Sequence, residues 1–419
     1  MKPHLYILLS LLFFYADLFP QRVTIHHIDV AQGDATLIRT SNGKAILIDA
    51  GDKGKGEDVI LPYLQSFGIT SIDYLIASHY HADHIGAIDE IVQGLSPDSI
   101  RTVLDRGSIS PLPTSKAFRQ YWSAAQTTAR HQTVYLGQSI KLTDELSLQC
   151  LAVDGAVLGR GGIKGSKGDE NNRSIAWLLS SEHTEGGKNF SFRYFTGGDC
   201  GGVTDAYADL ETPLASVVGD VDAMKINHHE SRYSTNRTFL DSLRPEAVVI
   251  SVGDRNTYHH PTQETLDRLQ STTSVRYIYQ TESGNGGTAP NEKIMGTVTI
   301  SLFDSFFTIG ADTFHLQSRP TLRNQSVNSI VPTPGAPAQN LISATVEGDL
   351  LTLNLLEGMD ISLKLFNILG QEVHAQPGRR FPPGTHQIHL FDAYLPAGVY
   401  LVRITTPSGV LTKKAILLR

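Results

Sequence analysis

Three imidazoles and a carboxylate crowd the run Ser78-His79-Tyr80-His81-Ala82-Asp83-His84, a density of donor side chains suited to holding a cation. In a locally extended chain, residues two apart share a face, so His79 and His81 can grip one ion while Asp83 and His84 turn toward a second. Two metals are therefore expected. Imidazole and carboxylate suit zinc first, with manganese or iron as alternatives, because geometry and availability decide among them more than raw affinity. Asp199, just past the strand-like run Phe190 to Phe195, offers two oxygens that can bridge both ions. Clustered dications lower the pKa of a bound water toward neutrality, so a metal-bound hydroxide is the expected nucleophile and hydrolysis the expected reaction.

A further histidine must complete the set, and two strand ends compete for it. His228 and His229 follow the strand-like Val221 to Asn227, and His260 lies in Tyr258-His259-His260-Pro261 beyond Ala247 to Val252. Adjacent side chains point apart, so one of each pair reaches the metals and the other is left for protons or substrate. The favoured ligands are His260 and one of His228 or His229, the choice within that pair being left open by the sequence. Asp83, His228 and His229 are the candidates for moving protons, and Tyr233 is a further group that can meet a leaving oxygen.

These residues need a scaffold. Tyr74 to Ser78 reads as a short buried strand whose carboxyl end delivers the histidine cluster. Val23 to Ile28 and Ala45 to Ile48 bracket a turn at Ser41-Asn42-Gly43 that reads as a hairpin. Helices are expected at 59–67, 83–93, 115–126 and 262–270, and the alternation with strands implies layered α/β architecture. The Gly-rich stretches Gly155 to Gly168 and Gly284 to Gly287 read as mobile loops bordering the cleft.

The segment 319–341 holds Pro320, Pro332, Pro334 and Pro337 among Ser, Asn and Gln, a composition that reads as a linker. Beyond it, 342–419 carries short strand-like segments separated by turns, a separate β-domain. The 419 residues are 40% hydrophobic, enough for a full core and two domains. A net charge of −7 argues against a surface built for phosphate contacts, although bound dications would supply local positive charge. Lys2 precedes an apolar run, Leu5 to Tyr15, too short to span a bilayer, so residues 1–20 read as an export signal and no stable membrane insertion is expected. The mature chain is then extracytoplasmic. Whether Cys150 and Cys200 pair is left open by the sequence.

Asp49 in "LIDAGD", the cluster in "SHYHADHIG" and Asp199 in "YFTGGD" together resemble the metallo-β-lactamase superfamily. More narrowly, "HIDVAQGDATLI", "ENNRSIAWLL", "DAMKINHHESRYS" and "NTYHHP" are similar to the hydrolase domain of ComEC-type competence proteins over roughly residues 22 to 316, within an expected hydrolase domain of 22–318. The resemblance implies a four-layer αββα sandwich with a dinuclear site at one edge. It implies His79, His81, Asp83, His84, Asp199, His229 and His260 as ligands of two Zn2+ ions, Mn2+ being the alternative. Asp49 and Asn172 are implied as supporting residues that orient the ligands. The histidine common in the superfamily between the cluster and the bridging aspartate has no clear match, since His131 and His183 sit in polar, loop-like contexts. Glu230 and Ala31 stand where this branch usually has Gly; a carboxylate at 230 would narrow the pocket or carry a proton.

"ISLKLFNILGQEV", "GTHQIHL", "LPAGVYLVRIT" and "TKKAILLR" resemble the sorting domain of type IX secretion cargo. That resemblance implies a small immunoglobulin-like sandwich over 342–419, recognition by the type IX machinery, and a destination outside the cell or on its surface by way of the periplasm. The leading expectation is a secreted two-metal phosphodiesterase acting on a small or polymeric phosphodiester, DNA included. Its alternatives are a carbon-ester hydrolase, such as a lactonase or β-lactamase, and a non-catalytic surface-binding protein.

Overall fold

The computed structural model describes residues 21–163, 169–185, 187–202 and 208–317, together with most of 342–417 apart from 348–349, 356–357, 368–371, 383, 391–397 and 407–408. The export signal, the linker and residues 164–168 of the first Gly-rich stretch lie outside the described residues. The chain divides into two compact units, the first closing at Thr321 and the second opening at Leu322.

Two sheets form the first unit. One runs in the order Asp312–His315, Phe306–Ile309, Val298–Leu302, Val23–His27, Thr36–Thr40, Ala45–Ile48, Tyr74–Ile76, Val103–Asp105, His131–Thr133. The other centres on Leu146–Val153, Ala176–Glu185, Lys188–Thr196, Ala223–Lys225, Ala247–Ile250 and Tyr277–Gln280. Alternation along the strands decides which residues face which layer. Ile46, Ile48 and Ile76 of the first sheet meet Trp177, Leu179, Tyr194 and Val249 of the second in the core between sheets. The opposite faces, Leu37, Leu47 and Leu75 on one sheet and Phe195, Met224, Val248 and Ile278 on the other, pack against helices. Leu61–Ser66, Ile88–Leu95 and Lys116–Ala125 cover the first; Glu211–Val218, Arg237–Leu243 and Gln263–Gln270 cover the second. The result is the layered αββα arrangement that two-faced apolar strands require.

Several local expectations change. The turn at Ser41-Asn42-Gly43 joins Thr36–Thr40 to Ala45–Ile48, with Thr36 opposite Ile48, and Val23–His27 pairs on the far side of Thr36–Thr40. The intervening strand is short and carries Arg39, which masked its apolar alternation. The helix expected over 83–93 is two pieces, Ala82–Ile85 and Ile88–Leu95. Gly86 sits at the break, where a Cβ would come within 2.8 Å of the Asp52 Cα, so helix and loop can meet only at a glycine. His131 and His183 are on strands, where His131 Nε2 contacts Asp105 Oδ2 at 2.6 Å. The Gly284 to Gly287 loop is pinned, with Asn285 N donating to His260 O at 2.9 Å and Gly287 N to Pro261 O at 2.6 Å.

The second unit is all β. Ile342–Glu347, Leu350–Leu355 and Gly384–His389 form one antiparallel sheet; Glu372–Phe381, Met359–Asn367, Gly398–Thr406 and Gly409–Leu417 form another. Leu351, Leu353, Ile361, Leu363, Leu365, Val402 and Ile404 are buried together, and Lys364, Leu401 and Arg403 alternate outward. This period-two pattern makes a small two-sheet sandwich.

Candidate metal centre

The strand Tyr74–Ile76 ends in Ala77-Ser78, and the chain turns there so that His79 and His84 are buried while His81 is half-buried. Asp49 builds the turn. Its carboxylate accepts from Ser78 N at 2.7 Å, from Ser78 Oγ at 2.7 Å and from His84 Nδ1 at 2.8 Å. Bonding at Nδ1 fixes the His84 ring and leaves Nε2 aimed inward, 3.2 Å from Asp199 Oδ1.

Asp199 arrives from the second sheet. Lys188–Thr196 runs into Gly197-Gly198, and Gly198 takes φ +57°. A Cβ on Gly198 would approach Ser174 Oγ to 2.9 Å and Ser78 Cβ to 3.1 Å, so these glycines let the loop nest between the two serines. Asp199 N donates to Ser174 Oγ at 3.0 Å. Asn172 Oδ1 accepts from Gly201 N at 2.8 Å and its Nδ2 donates to Ala208 O at 2.8 Å, which holds the far side of the same loop.

The segment Glu170 to Ser174, where a mid-chain histidine would lie, ties the site together through hydrogen bonds. Glu170 Oε1 accepts from Tyr80 N at 2.9 Å, on the peptide between His79 and His81. Arg106, fully buried, meets the same carboxylate through Nε and Nη2 at 2.8 and 2.7 Å and lies over the Tyr80 ring. Asn171 Nδ2 is 3.5 Å from His228 Nε2.

Two groups of donor atoms converge. His79, His81 and Asp199 form one, and Asp34, His84, Asp199 and His229 form the other, each with its ligand atoms within 4.8 Å of one another. Asp199 belongs to both. Asp34 Oδ1, His84 Nε2, Asp199 Oδ1 and His229 Nε2 are buried and, among the described residues, none has an aligned hydrogen-bond partner. Four lone-pair donors left in this state cost free energy that a cation accepting from all four removes, so the residues fit a metal ion.

Asp34 is a member that sequence reasoning missed. It follows Gly33 in "AQGDA", its N donates to Asp83 O at 3.0 Å, and Lys225 Nζ pairs with its Oδ2 at 2.6 Å. Lys225 is itself buried and also donates to Ile226 O at 3.0 Å. The signal was an acidic residue and a lysine inside otherwise apolar strand-end motifs, where burial without a partner is costly.

The remaining expected residues are placed as follows. Asp83 Oδ2 lies 3.3 Å from His229 Nε2, with its side chain 28% exposed, so it faces both the cluster and the opening. His229 Nδ1 donates to Ser251 O at 2.8 Å, which leaves Nε2 for the centre. His228 Nε2 is 3.9 Å from Asp199 Oδ2. His260 falls in neither donor group; its ring is 5.8 Å from that of His228 and 6.5 Å from that of His229. The Tyr233 hydroxyl accepts from Arg232. Glu230 points away from the cluster: its Oε2 accepts from Thr235 Oγ1 at 2.6 Å, and burial pushes its carboxyl up to about 8. Both positions that depart from glycine take left-handed backbone, Ala31 at φ +58° and Glu230 at φ +62°, which is why glycine suits them. Cys150 and Cys200 are free, buried thiols.

Charge follows the same design. Burial alone would raise the Asp199 carboxyl, but His84, His229 and His228 outweigh it and hold it well below the usual range. Burial, with His84 beside it, keeps His79 neutral and its lone pair available. Around His84 the balance reverses: burial opposes charge, yet Asp199, Asp49 and Asp83 raise it well above the ordinary imidazole value, so a cation held at Nε2 would take the place of a proton there. Burial would also raise Asp34, and Lys225 brings it down.

Residues 28–120 match the model of the metallo-beta-lactamase superfamily, and residues 337–418 match that of the secretion system C-terminal sorting domain. The chain carries a metallo-β-lactamase domain and a type IX sorting domain. It is similar to the ComE operon protein 3 of Bacillus subtilis, 26% identical over 292 residues that make up 65% of this chain and 34% of the relative. It is also similar to Recombination protein 2 of Haemophilus influenzae, 29% identical over 246 residues, 58% of this chain and 26% of the relative. The chain thus spans about a third or less of these relatives. Among solved structures, the metallo-beta-lactamase fold protein YhfI from Bacillus subtilis is 13% identical with a TM-score of 0.37, covering 63% of this chain and 98% of that one. The match over residues 28–120 and the convergent donor groups support a metal-dependent hydrolase, and the sorting domain indicates secretion or cell-surface export. Among the described residues no helix is long and apolar enough to cross a membrane.

Proposed function

We propose that the protein is a secreted dinuclear phosphodiesterase, with residues 22–318 as the hydrolase domain, 319–341 as linker and 342–419 as the sorting domain, after removal of an export signal at 1–20. The observation that carries the reading is the sharing of Asp199 between two convergent donor groups. Residues His79 and His81 would hold one Zn2+ or Mn2+ ion, and Asp34, His84 and His229 the other, with Asp199 common to both. Such ions supply Lewis acidity toward phosphoryl oxygens and an ionised water at neutral pH.

The chain's own side chains would do the rest. Asp83, partly exposed and facing His229, would accept and return a proton at its carboxylate. His228, beside Asp199 and Asn171, would meet the leaving oxygen through Nε2. His260 would line the opening rather than ligate. Asp49 and Asn172 would keep His84 and the Asp199 loop in register. The curated relatives are named for competence and recombination, which supports nucleic acid as the substrate class.

The test is a panel of bis(p-nitrophenyl) phosphate, single-stranded and duplex DNA, phosphorylcholine esters, lactones and nitrocefin. Turnover of phosphodiesters, lost in His81→Ala with folding retained, is the expected result. Turnover confined to lactones or nitrocefin would replace this reading with carbon-ester hydrolysis.

A further inference from the structure

Tyr258 is 65% exposed, whereas the histidine two residues on, His260, is 7% exposed. A tyrosine left in water is ordinary on a protein surface; its support and its position set this one apart. Its ring stacks on His260 at 5.7 Å between centroids with 14° between planes, and His260 stacks in turn on His229 at 6.5 Å and 23°. Three near-parallel rings therefore lead from solvent to a histidine of the candidate metal centre.

The loop that presents Tyr258 is held at both ends. Asn256 Nδ2 donates to Gly253 O at 2.7 Å and to His260 O at 2.9 Å, while His260 N donates back to Asn256 Oδ1 at 2.9 Å. Asn285 Nδ2 donates to Asn256 O at 2.9 Å, and Asn285 N to His260 O at 2.9 Å. A Cβ at Gly284 would come within 2.5 Å of Pro261 Cδ, so the supporting loop needs glycine there to approach this closely. His259 takes φ +59°, the turn that sends Tyr258 and His260 to the same side. An aromatic face that is exposed yet pre-positioned loses little conformational freedom when a planar group settles on it. Asp254, Arg255 and His259 on the same loop are exposed as well.

We propose that the outer face of Tyr258 is a stacking platform for an unpaired nucleobase, seating single-stranded nucleic acid so that its backbone passes the metal histidines. This rests on the phosphodiesterase reading and adds a specificity-determining residue to it. Duplex nucleic acid does not offer a free base face, so the platform selects strands or ends whose bases are unstacked.

The experiment measures binding separately from turnover. Full-length wild type, Tyr258→Ala and Tyr258→Phe are titrated, by fluorescence anisotropy, with a short labelled oligothymidylate and with an abasic sugar-phosphate oligomer of equal length. Wild type prefers the base-bearing strand, Tyr258→Ala loses about ten-fold of that preference, and Tyr258→Phe keeps it. No preference in wild type, or the same preference in Tyr258→Ala, overturns the platform. Tyr258-dependent binding without hydrolysis of any phosphodiester would refute the phosphodiesterase reading alone; hydrolysis of bis(p-nitrophenyl) phosphate without base preference would refute the platform alone.

Discussion

The two units bury different things. Among the described residues the sorting unit is apolar inside, with Thr406 the sole buried polar residue, and it has no non-glycine residue at positive φ. The hydrolase unit buries His79, His84, Asp34, Asp199, Lys225, Arg106 and Arg173, and holds Ala31, Asp49, His228, His229, Glu230 and His259 in left-handed backbone. A fold that needs only to persist is satisfied by alternating Leu, Ile and Val. Buried charge and backbone strain are costly and gather where geometry has to be imposed on reactive groups.

The contrast is broken most severely by removing one buried charge. Arg106→Met leaves Glu170 without its bidentate partner, and we expect a loss of about 3 kcal/mol in the hydrolase unit, read by chemical denaturation. Leu353→Ala opens a cavity in the sorting unit instead. It should cost that unit about 2–3 kcal/mol and leave hydrolysis untouched, since no charged group depends on it.

A pH series sharpens the comparison further. Burial pushes the Glu211 carboxyl up to about 7, against donation from Asn227 Nδ2, Thr235 N and Asn236 N. A carboxyl raised on folding from its ordinary 4.5 contributes stability that is complete below the unfolded value and is lost as pH rises through the folded one. Between about pH 4.5 and 7, the hydrolase unit should therefore lose about 1–3 kcal/mol through this group. Thermal melts of Glu211→Gln across that window should show a flatter pH slope than wild type. The smallest effect is expected at Ala31, whose φ of +58° strains an L-residue. Ala31→Gly should stabilise by about 0.5 kcal/mol in equilibrium unfolding, the released strain exceeding the added freedom of the unfolded chain.

Periodicity and motif spacing made much of this legible. Apolar runs such as Ala45–Ile48 and Ala247–Ile250 announced buried strands, and the crowding of His79, His81, Asp83 and His84 announced the ligands' neighbourhood. What escaped was geometry set by distant partners. Asp34 is 165 residues from Asp199 in sequence (199 − 34), and only the fold brings them together. Thr36–Thr40 was hidden by Arg39, and the helix over 83–93 broke at Gly86 because of a loop thirty-odd residues upstream, at Asp52. Glu230 looked like a pocket residue by adjacency, but its left-handed backbone turns the carboxyl to Thr235.

The central claim is that these separated side chains converge to hold cations. Elemental analysis of the full chain, purified without chelators, tests it directly: about two transition-metal ions per folded chain are predicted. A folded chain that carries none, even after incubation with Zn2+ or Mn2+ and removal of the excess, would contradict it.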